Sequence, residues 1–208
     1  MIPTLVLVHG WGFTPSVWDD VALRLTGPVL RVDLGFGGRP QVPAVERPLV
    51  IGHSMGFAWA LAHLPQPWAG AIAINGFARF TRSADFPEGV PPRLMERMLA
   101  RFDAEPRTVA TDFLNRCGVA APDLDGLDPA PLGKALAWLA ACDQRAALAA
   151  LTCPLLALAG ARDPIVPESM CRAAFAGRVV DIHANAGHLL PLTHADWVAR
   201  HITAFARP

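Results

Sequence analysis

Six short aliphatic runs set the strongest limit on how this chain can fold: Thr4–Val8, Val29–Asp33, Leu49–Gly52, Ala71–Ile74, Pro154–Ala159 and Val179–Ile182. None shows strict alternation of apolar and polar residues. A strand without that alternation has both faces to bury, as in a parallel sheet covered by helices on either side. Helical patterns fall between the runs, at Ser16–Leu25, Met55–Leu64, Pro167–Phe175 and Ala195–Phe205. This rhythm predicts an α/β fold, a mainly parallel sheet of about six strands with helices on both faces.

One segment breaks the rhythm. About eighty residues separate Ile74 from Pro154, too many for an ordinary connection. They read as loop over Phe77–Val90, then helices over Pro92–Phe102, Pro106–Cys117 and, singly or as a pair, Leu132–Leu151. The expectation is one domain spanning 1–208 with a helical cap over about 77–151 inserted in it.

Charge and cysteine usage exclude several classes of partner. The formal net charge is zero, which gives no support to nucleic acid or an anionic membrane surface. Cys117, Cys142, Cys153 and Cys171 form no C-x-x-C pair and have no histidine at zinc-finger spacing, so neither a metal site nor a disulfide framework is expected. The opening MIPTLVLVHG lacks a basic leader and turns straight into a strand pattern. No apolar run approaches the roughly 18 residues of a membrane span. A cytoplasmic monomer that does not bind membranes is the resulting expectation.

The chemistry concentrates where the third run meets a helix, in LVIGHSMGFAWALAHL. A serine between two glycines at a strand-to-helix turn is the pattern of a nucleophile elbow. The turn forces positive φ on Ser54, and the glycines let strand and helix approach without side-chain clashes. A serine hydroxyl is a weak nucleophile and needs a base and a group to orient that base. The elbow order is Ser, then an acid after a late strand, then His after the last strand. PLLALAGARDPIVP supplies Asp163, and VVDIHANAGHLLPL supplies His188. Asp143 and Asp181 are less well placed rivals for the acid, and His183, which ends a strand, is the rival base. His9 is read as structural, holding the loop that follows the first strand. His53 is taken as the variable position of the motif, and His63, His194 and His201 as helix residues.

Acyl transfer also needs two donors aimed at the developing oxyanion. The backbone N–H of Met55, just after Ser54, can supply one. The backbone N–H of Trp11, in the loop LVLVHGWGF, can supply the other.

These motifs resemble those of the α/β-hydrolase superfamily across nearly the whole chain, and most nearly those of the pimeloyl-[acyl-carrier protein] methyl ester esterases of biotin synthesis. The matching pieces are LVLVHGWGFTPSVW, RVDLGFGG, GHSMG, TVATDFLNRCG, CDQRAALAALTCPLLALAGARDPIVP and NAGHLLPLTHADWV. The resemblance implies Ser54 as nucleophile, His188 as base and Asp163 as its orienter. Trp11 and Met55 would line the oxyanion hole and touch substrate, and Phe113, Leu114, Asn115, Arg116 and Cys117 would line an acyl channel. For Phe113 and Cys117 a place in the cap's own core is the competing expectation. No cofactor is implied. The chain departs from the pattern in three places. It starts at what would be the third strand, joins its second and third strands through Arg39–Pro48 alone, and reads DLGFGG where DLPGFG is common.

On the helix Pro92–Phe102, Arg93, Arg97 and Arg101 fall within an arc of about 80° at 100° per residue. Like charges at this spacing destabilise a helix slightly, so the stripe invites a use such as docking an acidic acyl-carrier protein. A solvated face, with Arg93–Glu96 and Arg101–Glu105 pairs, is the plainer alternative in a chain whose 18 basic residues include only one lysine, Lys134. The function expected is a serine carboxylesterase acting on pimeloyl-carrier-protein methyl ester through an acyl-enzyme. A short-chain esterase or thioesterase on small-molecule esters, a lyase using the same residues, and a non-catalytic ligand receptor remain open.

Overall fold

The computed structural model describes residues 2–207. Six strands form one sheet: β1 (Leu5–Val8), β2 (Val29–Val32), β3 (Leu49–His53), β4 (Gly70–Ile74), β5 (Leu155–Gly160) and β6 (Val179–His183). Their order is β2-β1-β3-β4-β5-β6, and every pairing is parallel. The four inner strands are buried at every position, whereas β2 and β6 are partly exposed. Unbroken aliphatic runs are what such inner positions require, since each residue faces one helical layer or the other.

The helices are α1 (Asp19–Ala22), α2 (Met55–His63), α3 (Pro92–Ala104), α4 (Pro106–Cys117), α5 (Pro129–Ala141), α6 (Arg145–Ala149), α7 (Glu168–Ala174), α8 (Leu190–Thr193) and α9 (Ala195–Phe205). Strand order reverses between β1 and β3, so right-handed crossovers put α1 on one face and α2 and α7 on the other. Rings follow that division: Phe57 of α2 meets Phe175, just after α7, at 5.7 Å. The carboxyl ends of strands at such a reversal, here β1 and β3, are the usual ligand position in an open α/β sheet.

The helix expected over Ser16–Leu25 is shorter. Pro15–Trp18 forms a 3₁₀ turn and α1 stops at Ala22. Val17, Trp18 and Val21 are buried, but Leu23 is exposed and the chain turns at Gly27 with φ 103°. Short helices persist only where packing supports them, and here the support ends at Val21.

Between β4 and β5, residues 77–90 hold only isolated bridges, and four helices follow. The expected helical stretch Leu132–Leu151 is two helices beginning earlier. Asp128 caps α5 by accepting from the Ala130 N–H at 2.9 Å. After Ala141 the backbone of Cys142 is extended, Asp143 bridges to Arg79, and the Gln144 N–H donates to the Ala78 carbonyl at 2.8 Å. Pairing with residues 78–79 ends α5.

Candidate active site

Ser54 joins β3 to α2 with φ 54° and ψ −126°, a conformation costly for any L-residue. The flanking glycines answer a different demand. A Cβ on Gly52 would stand 2.4 Å from Cα of Phe57, and one on Gly56 would stand 2.4 Å from the His9 carbonyl oxygen. Both distances are far inside van der Waals contact. The glycines are needed because α2 crosses β3 and the end of β1 with no room for a methyl group, so that the turn at Ser54 can be tight.

The loop after β1 passes beside this turn. A Cβ on Gly10 would come 3.1 Å from the Ser54 Cβ. His9 Nδ1 donates to the Gly10 carbonyl and its Nε2 accepts from the Leu34 N–H, both at 3.0 Å, so a buried imidazole ties this loop to the start of the next. At the other side of the turn, the first residue of α2, Met55, has an N–H without an intrahelical acceptor. The Trp11 side chain packs against α3, α4 and α5. Its Nε1 donates to the Leu132 carbonyl at 2.9 Å, and its ring meets Phe102 at 5.9 Å and Phe113 at 5.0 Å.

Asp163 follows β5 in a turn of its own making: Oδ1 accepts the N–H groups of Ile165 at 2.7 Å and Val166 at 2.9 Å. Oδ2 lies 2.8 Å from His188 Nδ1. A carboxylate only accepts, so Nδ1 carries a proton, and in the neutral imidazole Nε2 is the bare nitrogen. That Nε2 is buried and has no hydrogen-bond partner. An unpaired basic nitrogen in a buried position is expensive, and it is the atom a proton acceptor must present.

The sequence rivals lie elsewhere. Asp143 binds Arg79 and Arg145, which hold its carboxyl well below the usual carboxylate range. Asp181 lies 3.5 Å from His201 Nε2. The His183 ring lies tilted against His194 at 4.2 Å and edge-on to Trp197 at 5.3 Å. None of the three touches Ser54, Asp163 or His188.

The cap residues divide by face of α4. Leu114 and Cys117 are buried and Phe113 half-buried, with Leu114 and Phe113 lying against Gly12 of the β1 loop. Burial pushes the Cys117 thiol up, and the nearby Asp163 charge adds to that. Asn115 is exposed on the outer face, and Arg116 donates to the Pro164 carbonyl at 3.1 Å. Arg93, Arg97 and Arg101 are exposed on α3. Arg101 reaches Asp112 at 2.7 Å and Glu105 at 3.4 Å, whereas Arg97 donates to the Arg93 carbonyl. The Arg93–Glu96 pair weighed from the sequence is not among the ion pairs of the described residues. Leu94, on the same helix, is exposed as well. Arg97, Arg101 and Arg116 flank a groove of about 260 Å³ floored by Met98, Val109 and Phe113.

Two buried polar residues, His53 and Asn75, were given no structural role by the sequence. His53 is not a free position: its Nε2 donates to the His188 carbonyl at 2.9 Å, and burial lowers its pKa to about 3. Asn75, after β4, is buried with φ 45° and bonds both the end of β5, which leads to Asp163, and the loop carrying His188. The sequence AINGF marks a turn there and nothing more. Among the described residues, no group of three or more histidine, cysteine or acidic side chains could hold a metal, and no helix is long and apolar enough to cross a membrane.

Comparison with known proteins places this geometry. A biotin biosynthesis bifunctional protein, BioHC, of Cellvibrio japonicus is 35% identical over a match covering 79% of this chain and 39% of that longer protein. A pimeloyl-[acyl-carrier protein] methyl ester esterase of Xanthomonas oryzae pv. oryzae is 32% identical, covering 98% of this chain and 94% of the relative. Among solved structures, an esterase from Exiguobacterium antarcticum superposes with a TM-score of 0.83 at 16% identity, covering 99% of this chain and 92% of that one. A bromoperoxidase from Bacillus anthracis gives 0.82 at 18% identity, over 99% and 92%. These two likenesses speak to the fold alone. The model of the alpha/beta hydrolase family matches residues 5–201, and with that span, a parallel six-stranded sheet and a serine turn at its switch point, the chain belongs to the alpha/beta hydrolase family.

Proposed function

We propose that this carboxylic-ester hydrolase cleaves the methyl ester of a pimeloyl chain held on acyl-carrier protein, using Ser54, His188 and Asp163. The observation that carries the chemistry is the buried Asp163–His188 pair, which presents an unpartnered Nε2 and is bonded through the His188 carbonyl to His53, the residue before Ser54. The substrate is drawn from relatives named for that esterase, which match nearly the full length of this chain.

Ser54 Oγ adds to the ester carbonyl carbon while His188 Nε2 takes its proton. Asp163 keeps the imidazole in the required tautomer and stabilises the imidazolium. The N–H groups of Met55 and Trp11 receive the oxyanion. Collapse breaks the bond to the methoxy oxygen, which takes the proton from His188 and leaves as methanol. Water then adds to the acyl-serine, giving its proton to His188, and the second collapse returns that proton to Ser54 Oγ and releases the carboxylic acid. Residues 77–151 serve as the cap. Phe113, Leu114 and Cys117 offer apolar walls to the acyl chain, with Asn115 and Arg116 at its outer rim. Arg93, Arg97 and Arg101 face an acidic carrier.

Turnover of methyl pimelate on acyl-carrier protein, compared with free methyl pimelate, tests the substrate. A large preference for the carrier-bound ester is expected. Equal turnover would make the protein a short-chain esterase, and failure of Ser54 to react with a fluorophosphonate would remove the mechanism.

A further inference from the structure

The geometry points to Asn75 and His53 as positioning residues that fix the loop carrying His188. This rests on the reading of His188 as the base and adds how that base is kept in place. Asn75 makes every bond its amide allows short of one lone pair. Nδ2 donates to the Gly187 carbonyl at 2.9 Å and the His188 carbonyl at 2.8 Å, and Oδ1 accepts from the Gly160 N–H at 3.0 Å. Gly160 ends β5, and its carbonyl accepts from the Asp163 N–H at 3.2 Å. The preceding carbonyl, of Ile74, accepts from the Ser54 N–H at 3.0 Å. Two consecutive residues at the end of β4 therefore bond the nucleophile turn, the acid turn and the base loop.

His53 adds a second donor to the same carbonyl of His188, and that oxygen accepts from Asn75 and His53 together. Because a carbonyl only accepts, His53 carries its proton on Nε2. Its Nδ1 is buried without a partner, and burial holds the ring neutral down to a pKa of about 3. The donor is thus present throughout the range in which an esterase works. Residue 187 is glycine, the most mobile backbone unit, so the base loop has little stiffness of its own. Clamping the carbonyls of Gly187 and His188 from outside supplies it. Asn also tolerates the left-handed backbone at position 75 better than most residues.

The test uses the full chain and a small methyl ester. Asn75→Asp keeps size and backbone tolerance but removes both donated N–H groups. His53→Met removes the second donor, and His53→Gln keeps an N–H at similar reach. A displacement near 1 Å in a catalytic group costs about 10- to 100-fold, so Asn75→Asp and His53→Met should lower kcat by that factor with KM within about twofold. The low-field proton resonance of His188 Nδ1 should shift in both, and His53→Gln should retain most of the activity. Folded Asn75→Asp and His53→Met proteins with unchanged kcat and an unshifted resonance would overturn the inference. Should Asn75→Asp fail to fold, the His53 pair decides: equal loss in the Met and Gln variants overturns the donor role. Ser54→Ala separates the two readings. If it stays active the triad reading fails. If it is inactive while the positioning variants are unaffected, only the present inference fails.

Discussion

The loops at the carboxyl ends of β3, β5 and β6 and the helices α3 and α4 above them are held by opposite kinds of contact. Ser54, Asp163 and His188 are buried, and their loops are locked by backbone amides and by the side chains of Asn75 and His53. Helices α3 and α4 rest mainly on apolar and aromatic contact, Trp11 against Phe102 and Phe113, with one bond from Arg116 to the Pro164 carbonyl, and exposed ion pairs such as Arg101–Asp112 join them to each other. Buried hydrogen bonds are directional and costly to break, whereas exposed ion pairs contribute little and are screened. The difference teaches where precision is stored: below, atoms are set to within a hydrogen bond, and above, they are set mainly by apolar packing.

Changes in the lower region should therefore have the largest effects. Ser54→Ala deletes one hydroxyl and should leave the melting temperature unaltered, yet lower ester hydrolysis on the order of 10³–10⁶-fold. Retention of most of the rate would show that the rigid region is not where the chemistry occurs. Next, Asp163→Asn removes the acceptor that fixes the His188 tautomer and should cost on the order of 10⁴ in kcat. Asp143→Asn, at a carboxylate engaged by Arg79 and Arg145, should leave kcat unaffected; the reverse result would relocate the acid.

The third prediction turns on stability rather than rate. Folded His53 has a pKa of about 3 against an ordinary 6.5, so the unfolded chain binds a proton that the folded one refuses. The stabilisation this gives is complete above pH 6.5 and is lost as pH falls from 6.5 towards 3. Linkage makes the loss on the order of a few kcal/mol. His53→Gln cannot titrate there and should flatten that part of a urea-midpoint profile against pH. An unchanged profile would mean that His53 is not held neutral in the fold.

The smallest effect belongs to the cap. Changing Arg93, Arg97 and Arg101 together to Gln should lower kcat/KM for a carrier-bound ester and spare a small free ester. Rim charges act on encounter and are screened beyond a Debye length of about 8 Å, so added salt should reproduce the loss in the unchanged protein. Equal effects on both esters would indicate damage to the cap itself.

How much could be read in advance follows the same division. The strands were visible as aliphatic runs because inner positions of a parallel sheet accept little else. Asp163 and His188 stood out by their place after β5 and β6, and the structure sets them 2.8 Å apart. Asn75 and His53 were not visible. Their partners lie 85, 113 and 135 positions away in the chain, and no local pattern records a bond to a distant carbonyl. The end of α1 was missed, and the choice between one helix and two over Leu132–Leu151 was left open, for a related reason, since burial of Val21 and pairing with residues 78–79 set them.

From the order of residues alone come the fold class, the serine turn with the glycines that permit it, and the aspartate and histidine that follow β5 and β6. Each depends on period, composition or position relative to a strand, and such quantities are local. Folding alone settled that Trp11 is pinned under the cap, that α4 turns Leu114 and Cys117 inward and Asn115 outward, and that one carbonyl of His188 receives two buried donors. Those facts arise where segments far apart in the chain compete for the same buried space, and only the assembled sheet and cap bring the competitors together.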